Sequence, residues 1–556
     1  MKNKFRELVK KRNKIFATLG LIQWDLETKT PKKSKAYLSE LIGDFSMQEY
    51  EIFTSDEFIN IVKNLNDNKN DLSEIEKREI ELSMEEIEKM KKIPADEYEA
   101  YAKLTSYNQA IWEEAKEKKD FSIIKDGLEK VFYYNKKFAE YRRKVEKNLY
   151  DVLLNDYEKG MDTEKLDIFF GELKKEIVPF LKKIQEKKKT IREENLIDIP
   201  VDEETQMKFA KYLAKYVGFD FDKGLVETSE HPFTLNLNKN DVRLTTNNKK
   251  NMPFSTVFSI IHEAGHGIYE QQTADELLDT ILGTGGSMGL HESQSRFMEN
   301  IVGRNTKFWK PIYNKAQEFY PHLKNISFDD FCKQINRIEP GLIRVESDEL
   351  TYSLHIMVRY ELEKMIFAGE LSIEDLPIVW KQKMVEYLGL EPENDSVGLM
   401  QDVHWYCGLV GYFPSYAIGN AYASQIFNTM KKDFDVDKAL ENGDLKKITD
   451  WLGEKIHKYG KLKDTSDIIK EVTGEELNPK YYIDYLKEKY SKIYELWEKA
   501  VMRLPFLIFI SKWLQKFDHY HIQLRKFVKY FRDLILLIVL LTSRHLYRLL
   551  PKYLFG

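Results

Sequence analysis

The ten residues from Val257 to His266 read VFSIIHEAGH and lie near the middle of a chain of 556 residues. The apolar residues before His262 predict a helix with one buried face. Residues four apart share a face of a helix, so His262 and His266 can both direct ring nitrogens to one zinc ion. Glu263 lies about 100° around the helix from His262, where its carboxylate can take a proton from zinc-bound water. The alternative is a core helix with two histidines at polar positions.

A catalytic zinc needs a third protein ligand and an open position for water. A glycine-rich break, GTGGSMGL, follows at 283–290, and His291 opens the next predicted helix. Glu292 is the predicted third ligand, because a second helix that enters near the first can reach the metal. Glu299, two turns further along, is the alternative. Glu270 could also reach the metal, but we interpret it as a solvated helix residue.

This ligand set predicts hydrolysis of a peptide bond. Zinc would lower the pKa of bound water to about 7 and polarise the carbonyl under attack. Glu263 would remove the proton from the water and return it to the leaving amine. Cobalt accepts the same two imidazoles and carboxylate, so the sequence does not choose between the two metals.

Composition excludes several other classes of protein. With 32% charged and 42% apolar residues, the chain is typical of a soluble globular protein, and its length predicts more than one core-sized unit. Cys332 and Cys407 are too far apart in sequence for a CxxC motif, which excludes a disulfide scaffold and a thiolate zinc site. The charged N-terminus lacks the apolar run of a secretory signal, so we expect a reducing, cytoplasmic setting.

Charge divides the chain in two. Residues 501–556 carry ten Lys and Arg against two Asp, a net +8, so residues 1–500 carry −13 of the total of −5. We therefore predict an acidic body over 1–500, with its site at 231–416, and a basic, aromatic extension over 501–556. The apolar run Leu534–Leu541 is too short to cross a bilayer, although it could lie on a membrane surface. No nucleic-acid partner is expected.

The sequence of the body predicts a mainly α fold of long packed helices around a deep groove. Leu166, Phe169, Phe170, Leu173 and Ile177 form one apolar stripe at helical spacing. A different pattern precedes the metal helix, where two short alternating runs flank the turn residues Asn-Lys-Asn. This pattern predicts a β-hairpin at about 233–246 that lines the groove.

Six short motifs carry a family resemblance. In chain order they are His231-Pro-Phe, Asp241-Val-Arg-Leu-Thr, His262-Glu-Ala-Gly-His, His291-Glu-Ser-Gln, Ile343-Arg-Val-Glu-Ser-Asp and Gly398-Leu-Met-Gln-Asp-Val-His-Trp. Together with Trp24-Asp-Leu-Glu-Thr they resemble the thermostable carboxypeptidase (carboxypeptidase Taq) family of zinc metallocarboxypeptidases over about 1–500. Thr30 and Ser347 depart from the family pattern, which usually has Met and Ala there, and neither is a ligand.

The resemblance implies removal of single residues from peptide C-termini, with broad tolerance of side chains and poor action on proline. It also implies an almost wholly helical fold with a long groove, and a homodimer.

The first competing hypothesis is a metallo-oligopeptidase that cuts within peptides. The second is an interaction protein that uses its basic tail. The preferred C-terminal residue and the thermostability cannot be read from the sequence.

Several residues are candidates for binding the substrate, and each also has an alternative interpretation. A guanidinium binds a free carboxylate through two parallel hydrogen bonds, so Arg344 is the candidate for the substrate C-terminus, unless it pairs with Glu346 or Asp348. His231 and His404 are either donors near the oxyanion or buried histidines bonded to carboxylates such as Asp402.

The remaining candidates come from the same motifs. Tyr412 and Tyr416 could supply a phenol to the tetrahedral intermediate. Asp241, Arg243 and Thr245 alternate on a strand and so share one face, where we expect them to support the site rather than touch the reacting atoms. Gln401 and Asp402 are assigned the same supporting role.

Overall fold

Helices and one small sheet make up the computed structural model, which describes residues 1–188 and 194–496. The elements before the metal helix are α1 (Lys2–Thr28), α2 (Lys35–Thr54), α3 (Asp56–Asp67), α4 (Glu74–Lys91), α5 (Ala95–Lys118), α6 (Lys125–Arg142), α7 (Leu149–Tyr157), α8 (Thr163–Lys188), α9 (Glu203–Val217), β1 (Gly224–Thr228), β2 (Thr234–Asn238) and β3 (Asp241–Thr246). The prediction of a mainly α fold is confirmed.

The metal helix and the elements after it complete the described chain. They are α10 (Pro253–Gln271), α11 (Met288–Arg296), a π-helical segment (Phe297–Gly303), α12 (Thr306–Trp309), α13 (Tyr313–Phe319), α14 (Phe328–Gln334), α15 (Glu349–Ala368), α16 (Leu376–Leu388), α17 (Pro414–Asp433), α18 (Val436–Glu441), α19 (Leu445–Lys455), α20 (Thr465–Thr473) and α21 (Lys480–Ile493). Arg344–Glu346 forms a single 3₁₀ turn.

Two predicted elements form where the sequence pattern placed them. All five residues of the apolar stripe from Leu166 to Ile177 are buried on α8. The predicted hairpin is the antiparallel pair β2–β3, which pairs Thr234 with Leu244. The sheet also contains β1, which lies parallel to β3 and gives the order β1-β3-β2. Strand β1 is not predicted from the sequence, because a five-residue strand with one buried side chain, Val226, carries little periodic signal.

Glycines allow the helices that carry the site to approach closely. A Cβ atom on Gly265 of α10 would lie 2.6 Å from the carbonyl oxygen of Gln294, and one on Gly419 of α17 would lie 2.7 Å from Cγ of Glu292. α11 is therefore packed between α10 and α17 at near-backbone contact. This packing sets the position of Glu292 relative to α10.

Met1–Glu488 forms one compact unit. Within it, side chains of α1, α3 and α4 bury a cluster of their own that includes Phe5, Val62 and Ile80. No helix among the described residues is long and apolar enough to cross a membrane. The predicted extension 501–556, with its apolar run Leu534–Leu541, lies outside the described residues, and the boundary near 500 stays a prediction.

Candidate metal centre and substrate cleft

Two helices bring the three predicted ligands together. His262 and His266 lie one turn apart on α10, and Glu292 lies on α11. Oε2 of Glu292 is 3.7 Å from Nε2 of His262 and 3.6 Å from Nε2 of His266, and the three ligand atoms all lie within 4.8 Å of one another. Zn–N and Zn–O bonds of about 2.0–2.2 Å in a tetrahedron separate ligand atoms by about 3.4 Å. The donor set and its spacing therefore fit a divalent metal with one side left open.

Glu299 lies behind the first histidine and holds its ring. Nδ1 of His262 donates to Oε2 of Glu299 at 2.9 Å, which leaves Nε2 for a metal. Burial alone would raise the pKa of Glu299, but Arg296 and the hydrogen bond from His262 lower it to about 2. The alternative assignment of Glu299 as the third ligand thus gives way to a supporting role. A π-helical segment is a common device at functional sites, and here it carries Glu299.

A longer chain of hydrogen bonds supports the second histidine. Nε2 of His291 lies 2.7 Å from Oε1 of Glu270, and Nδ1 of His291 lies 2.6 Å from Nδ1 of His266. Since a carboxylate only accepts, His291 donates to Glu270 through Nε2 and accepts from His266 through Nδ1. Nε2 of His266 then keeps a lone pair for the metal. Burial lowers the pKa of His266 to about 3, which also favours the neutral ring.

The position of Glu270 differs from the one that was predicted for it. It is 3% exposed and accepts hydrogen bonds from Thr284, Asn236 and the backbone of Gly285, so the interpretation as a solvated helix residue is wrong. The sequence could not reveal this burial, because the covering residues belong to β2 and to the glycine-rich segment.

Arg296 orients the carboxylate ligand. Its Nε donates to Oε1 of Glu292 at 2.6 Å, which leaves Oε2 facing the two histidines, and its Nη1 donates to Glu299 at 3.1 Å. Burial alone would raise the pKa of Glu292, but the charges of Arg296 and His262 hold it well below its usual range. The role of Arg296 was not predicted, although its position four residues after Glu292 on a helix indicates a contact between the two side chains.

The hairpin positions the proposed base. Oγ1 of Thr234 on β2 donates to Oε2 of Glu263 at 2.6 Å. Glu263 is 6% exposed, and burial raises the pKa of its carboxyl. A carboxylate with a raised pKa accepts a proton more readily at neutral pH than an exposed one. The role of Thr234 was not predicted.

A cleft of about 510 Å³ opens beside this carboxylate, and its lining includes His231, His262, Glu263, Arg344 and Tyr352. Nη2 and Nε of Arg344 donate to Asp402 at 2.8 and 3.1 Å, and its Nη1 donates to Tyr352 at 3.0 Å. The cleft therefore contains a fixed guanidinium on the same side of α10 as Glu263.

The pairing of Arg344 differs from both partners named in the sequence analysis. Glu346 pairs with Lys249 at 3.2 Å, and Asp348 accepts from the backbone of Thr351 at the start of α15. Both carboxylates thus have other partners, and the guanidinium bonds instead to Asp402, 58 residues away in the chain.

The carboxylate of Asp402 pairs with two guanidinium groups. Arg359 on α15 also donates to it, at 2.8 Å from Nε and 2.6 Å from Nη2. Burial alone would raise the pKa of Asp402, but Arg344 and Arg359 hold it well below its usual range. Two cations on one anion leave a net positive charge at this end of the cleft. The pairing of Arg359 with Asp402 could not be predicted from the sequence, because the two residues are 43 positions apart.

Gln401 fixes the turn that carries Arg344. Its Oε1 accepts from the backbone N–H of Arg344 at 2.8 Å, and its Nε2 donates to the carbonyl of Leu342 at 3.0 Å. Its side chain therefore contacts the backbone of this turn, and its supporting role stays a prediction.

His404, Tyr412 and Tyr416 form a cluster of their own. Nε2 of His404 lies 3.2 Å from the hydroxyl of Tyr416, so its hydrogen-bond partner is a phenol and not Asp402. Burial lowers the pKa of His404 to about 4 and raises that of Tyr412 to about 12. The rings of Tyr412 and Tyr416 contact each other, with their centroids 5.2 Å apart.

His231 lies on an exposed loop that borders the cleft, and Thr245 of β3 holds that loop. Oγ1 of Thr245 accepts from Ser229 at 2.7 Å and from the backbone of Phe233 at 2.9 Å. Asp241 and Arg243 form two parallel hydrogen bonds of 2.9 Å. Thr245 thus contacts the loop of His231, whereas Asp241 and Arg243 pair with each other, and the supporting role of the three residues stays a prediction.

Comparisons with known proteins agree with this geometry. The model of the family described as "Carboxypeptidase Taq (M32) metallopeptidase" matches residues 4–490. The chain is 44% identical to "Carboxypeptidase 1" of Bacillus subtilis (strain 168) over 88% of its length and 98% of that protein, and 34% identical to "Thermostable carboxypeptidase 1" of Pyrococcus furiosus over 85% and 94%. The solved M32 carboxypeptidase from Deinococcus radiodurans R1 superimposes with a TM-score of 0.86 at 28% identity, covering 89% of this chain and 99% of that one.

Proposed function

This chain belongs to the carboxypeptidase Taq (M32) family of metallopeptidases, and we propose that Glu263 is its general base and zinc its metal. It is a metallocarboxypeptidase and therefore a peptide hydrolase. The observation that carries the proposal is the group His262, His266 and Glu292 beside a buried carboxylate that Thr234 holds.

Each side chain has a defined task in this proposal. His262, His266 and Glu292 would hold the metal, which when bound lowers the pKa of water and polarises a carbonyl. Glu263 takes a proton from the attacking water and returns it to the leaving amine. The hydrogen bond from Thr234 keeps the carboxylate aligned during both transfers.

Recognition of the substrate C-terminus is assigned to Arg344. The net positive charge of Arg344, Arg359 and Asp402 favours a free carboxylate in the cleft, and the fixed guanidinium sets its distance from Glu263. Such an arrangement limits cleavage to the last peptide bond. Broad tolerance of side chains, poor action on proline, a homodimer and a cytoplasmic setting are further proposals that rest on the family resemblance.

The test compares one peptide with a free C-terminus and the same peptide amidated. We expect stepwise loss of single residues from the free peptide and resistance of the amide, measured by mass spectrometry of the products. Equal cleavage of the two would make the chain an oligopeptidase.

Elemental analysis of the purified protein, followed by reconstitution of the stripped protein with zinc or cobalt, tests the metal.

A further inference from the structure

The loop between α16 and α17 carries the partners of Arg344 and contains no helix or strand. We call its residues 400–408 the Asp402 loop. Within it, Gln401 bonds to the backbone of Arg344 and Asp402 bonds to the guanidinium. Because this loop has no regular structure of its own, its backbone groups need partners from elsewhere in the fold. The residues that hold the loop therefore also influence the position of Arg344.

Helix α5 supplies partners for two consecutive carbonyls of the Asp402 loop. Nε1 of Trp112 donates to the carbonyl of Met400 at 2.9 Å, and Nζ of Lys116 donates to the carbonyl of Gln401 at 3.1 Å. Trp112 and Lys116 are four residues apart and so share one face of α5. Neither carbonyl accepts a backbone hydrogen bond within the part of the chain that the structure describes. The two side chains thus satisfy backbone groups that the loop itself leaves open.

Lys116 holds the peptide bond that joins the two partners of Arg344. The carbonyl to which it donates belongs to the peptide bond between Gln401 and Asp402. The side chains on either side of this peptide bond both contact Arg344, one at its backbone and one at its guanidinium. A shift of this single peptide bond would therefore displace both contacts together.

The ammonium of Lys116 is itself held on two sides. It lies 4.6 Å from the centroid of the Trp112 ring, within the range of a cation–π interaction, and its side chain is half-buried. Burial lowers the pKa of Lys116, and the carboxylate of Asp402 partly offsets this effect. A hydrogen bond from a charged donor is roughly twice as strong as one from a neutral donor. Lys116 is therefore a stronger anchor for the loop than a neutral side chain would be.

The other end of the Asp402 loop also contacts α5. The hydroxyl of Tyr101 donates to the carbonyl of Gly408 at 3.3 Å and accepts from Asn135 of α6 at 3.0 Å. Gly408 has a φ of +87°, and a Cβ atom there would overlap the Tyr101 hydroxyl. Tyr101 precedes Trp112 by 11 residues, about three turns, so the two lie on the same face of α5. One face of this helix thus holds both ends of the loop.

We propose that Lys116, together with Trp112, is a positioning residue for recognition of the substrate C-terminus, because it holds the peptide bond before Asp402 and so fixes the guanidinium of Arg344. The inference rests on the proposed role of Arg344. Neither Lys116 nor Trp112 lines the cleft, so both act through the Asp402 loop. Helix α5, which lies outside the six sequence motifs, then contributes to the selectivity for free C-termini.

The test measures KM and kcat of a blocked dipeptide with a free C-terminus. Lys116→Met keeps the aliphatic stem but removes the donor, and we expect KM to rise about fivefold with kcat changed by less than about twofold. The reason is that substrate and transition state use the carboxylate contact equally. Lys116→Arg retains a charged donor and should keep KM near the wild-type value, whereas Trp112→Phe, which loses only the N–H, should raise KM.

A matched control lies on the same helix. Lys118→Met removes the same charge from an exposed ion pair with Glu114 and should leave KM unchanged. Inhibition by N-acetylphenylalanine, which presents a free carboxylate, gives a second readout. Its Ki should rise together with KM in Lys116→Met, whereas a loss of folded protein would lower kcat alone. Thermal melting monitored by circular dichroism checks that each variant folds.

The outcomes separate this inference from the proposed function. If the wild-type enzyme cleaves the free dipeptide and resists its amide, the proposed recognition by Arg344 stands. If Lys116→Met then keeps the wild-type KM and Ki, or loses kcat alone, the inference is overturned. If the wild type cleaves the free dipeptide and its amide equally, the proposed role of Arg344 fails and the inference with it.

Discussion

Glu263 combines burial with a single strong hydrogen bond, and that combination suits proton transfer. Thr234 occupies one carboxylate oxygen at 2.6 Å, so the other is available to water. Glu263→Gln preserves this hydrogen bond but cannot accept a proton, and we expect kcat to fall by about 10²–10⁴-fold with metal content unchanged. Steady-state kinetics and elemental analysis of the same sample check both parts. Wild-type turnover in this variant would exclude Glu263 as the base.

The role of Glu299 can be separated from that of the ligands. Because it contacts Nδ1 of His262 and not the metal-facing nitrogen, Glu299→Gln should weaken metal affinity by about 10–100-fold without abolishing binding. Competition with a coloured chelator measures the affinity. His266→Ala provides the comparison for a lost ligand, and an equally severe loss in Glu299→Gln would make Glu299 a ligand.

At the scale of elements, the contact of α10 with α11 has no space for a side chain at Gly265. A methyl group there would lie 2.6 Å from the carbonyl oxygen of Gln294 and 2.7 Å from Cα of Ser295, so the two helices would have to separate. We expect Gly265→Ala to lower the free energy of unfolding by about 1–3 kcal/mol and to weaken metal binding, because Glu292 would move away from the histidines.

A matched control for Gly265 exists on α8. Gly171 is exposed, and a Cβ atom there would meet nothing within 4 Å. Gly171→Ala should therefore raise the free energy of unfolding by up to about 1 kcal/mol through helix propensity alone. Urea denaturation of both variants, with and without zinc, tests the pair. Equal effects of the two substitutions would contradict close packing at Gly265.

At the scale of the whole molecule, buried carboxyls away from the metal couple stability to pH. Burial raises the pKa of Glu158, which follows α7 and accepts from the backbone of Gly289 in α11, to about 7. It does the same for Glu363, which accepts from Tyr150 and Gly411. For an acid with a raised folded-state pKa, the stabilisation is full below the unfolded value of about 4.5 and is lost as pH rises through about 7.

We therefore expect the apo protein to lose up to about 3 kcal/mol of stability per buried carboxyl between pH 4.5 and 8. Glu158→Gln should reduce this loss, because the amide does not ionise. Denaturation at pH 5.5 and pH 8 in the presence of chelator measures the difference. Glu363→Gln repeats the test at an independent position, and pH profiles parallel to the wild type in both variants would refute the argument.

The parts of the site that could be predicted are those whose residues lie close together along the chain. His262 and His266 follow from the helical repeat, and Glu292 follows from the next helix after a short connection. Arg344 was assigned to the cleft, but its partner Asp402 lies 58 residues away, and one-dimensional spacing suggested nearer carboxylates instead. Glu270 was misjudged for the same reason, since its burial depends on β2 and on the segment before α11.

The sequence by itself determined the helical character of the body and the hairpin beside the metal helix, and it predicted three metal ligands, because each depends on local periodicity or on neighbouring helices. Only the tertiary structure decided which groups support the proposed ligands and which carboxylate pairs with Arg344. These features arise from contacts between residues far apart in the chain, and a buried charge finds its partner only when the packed helices bring the two together.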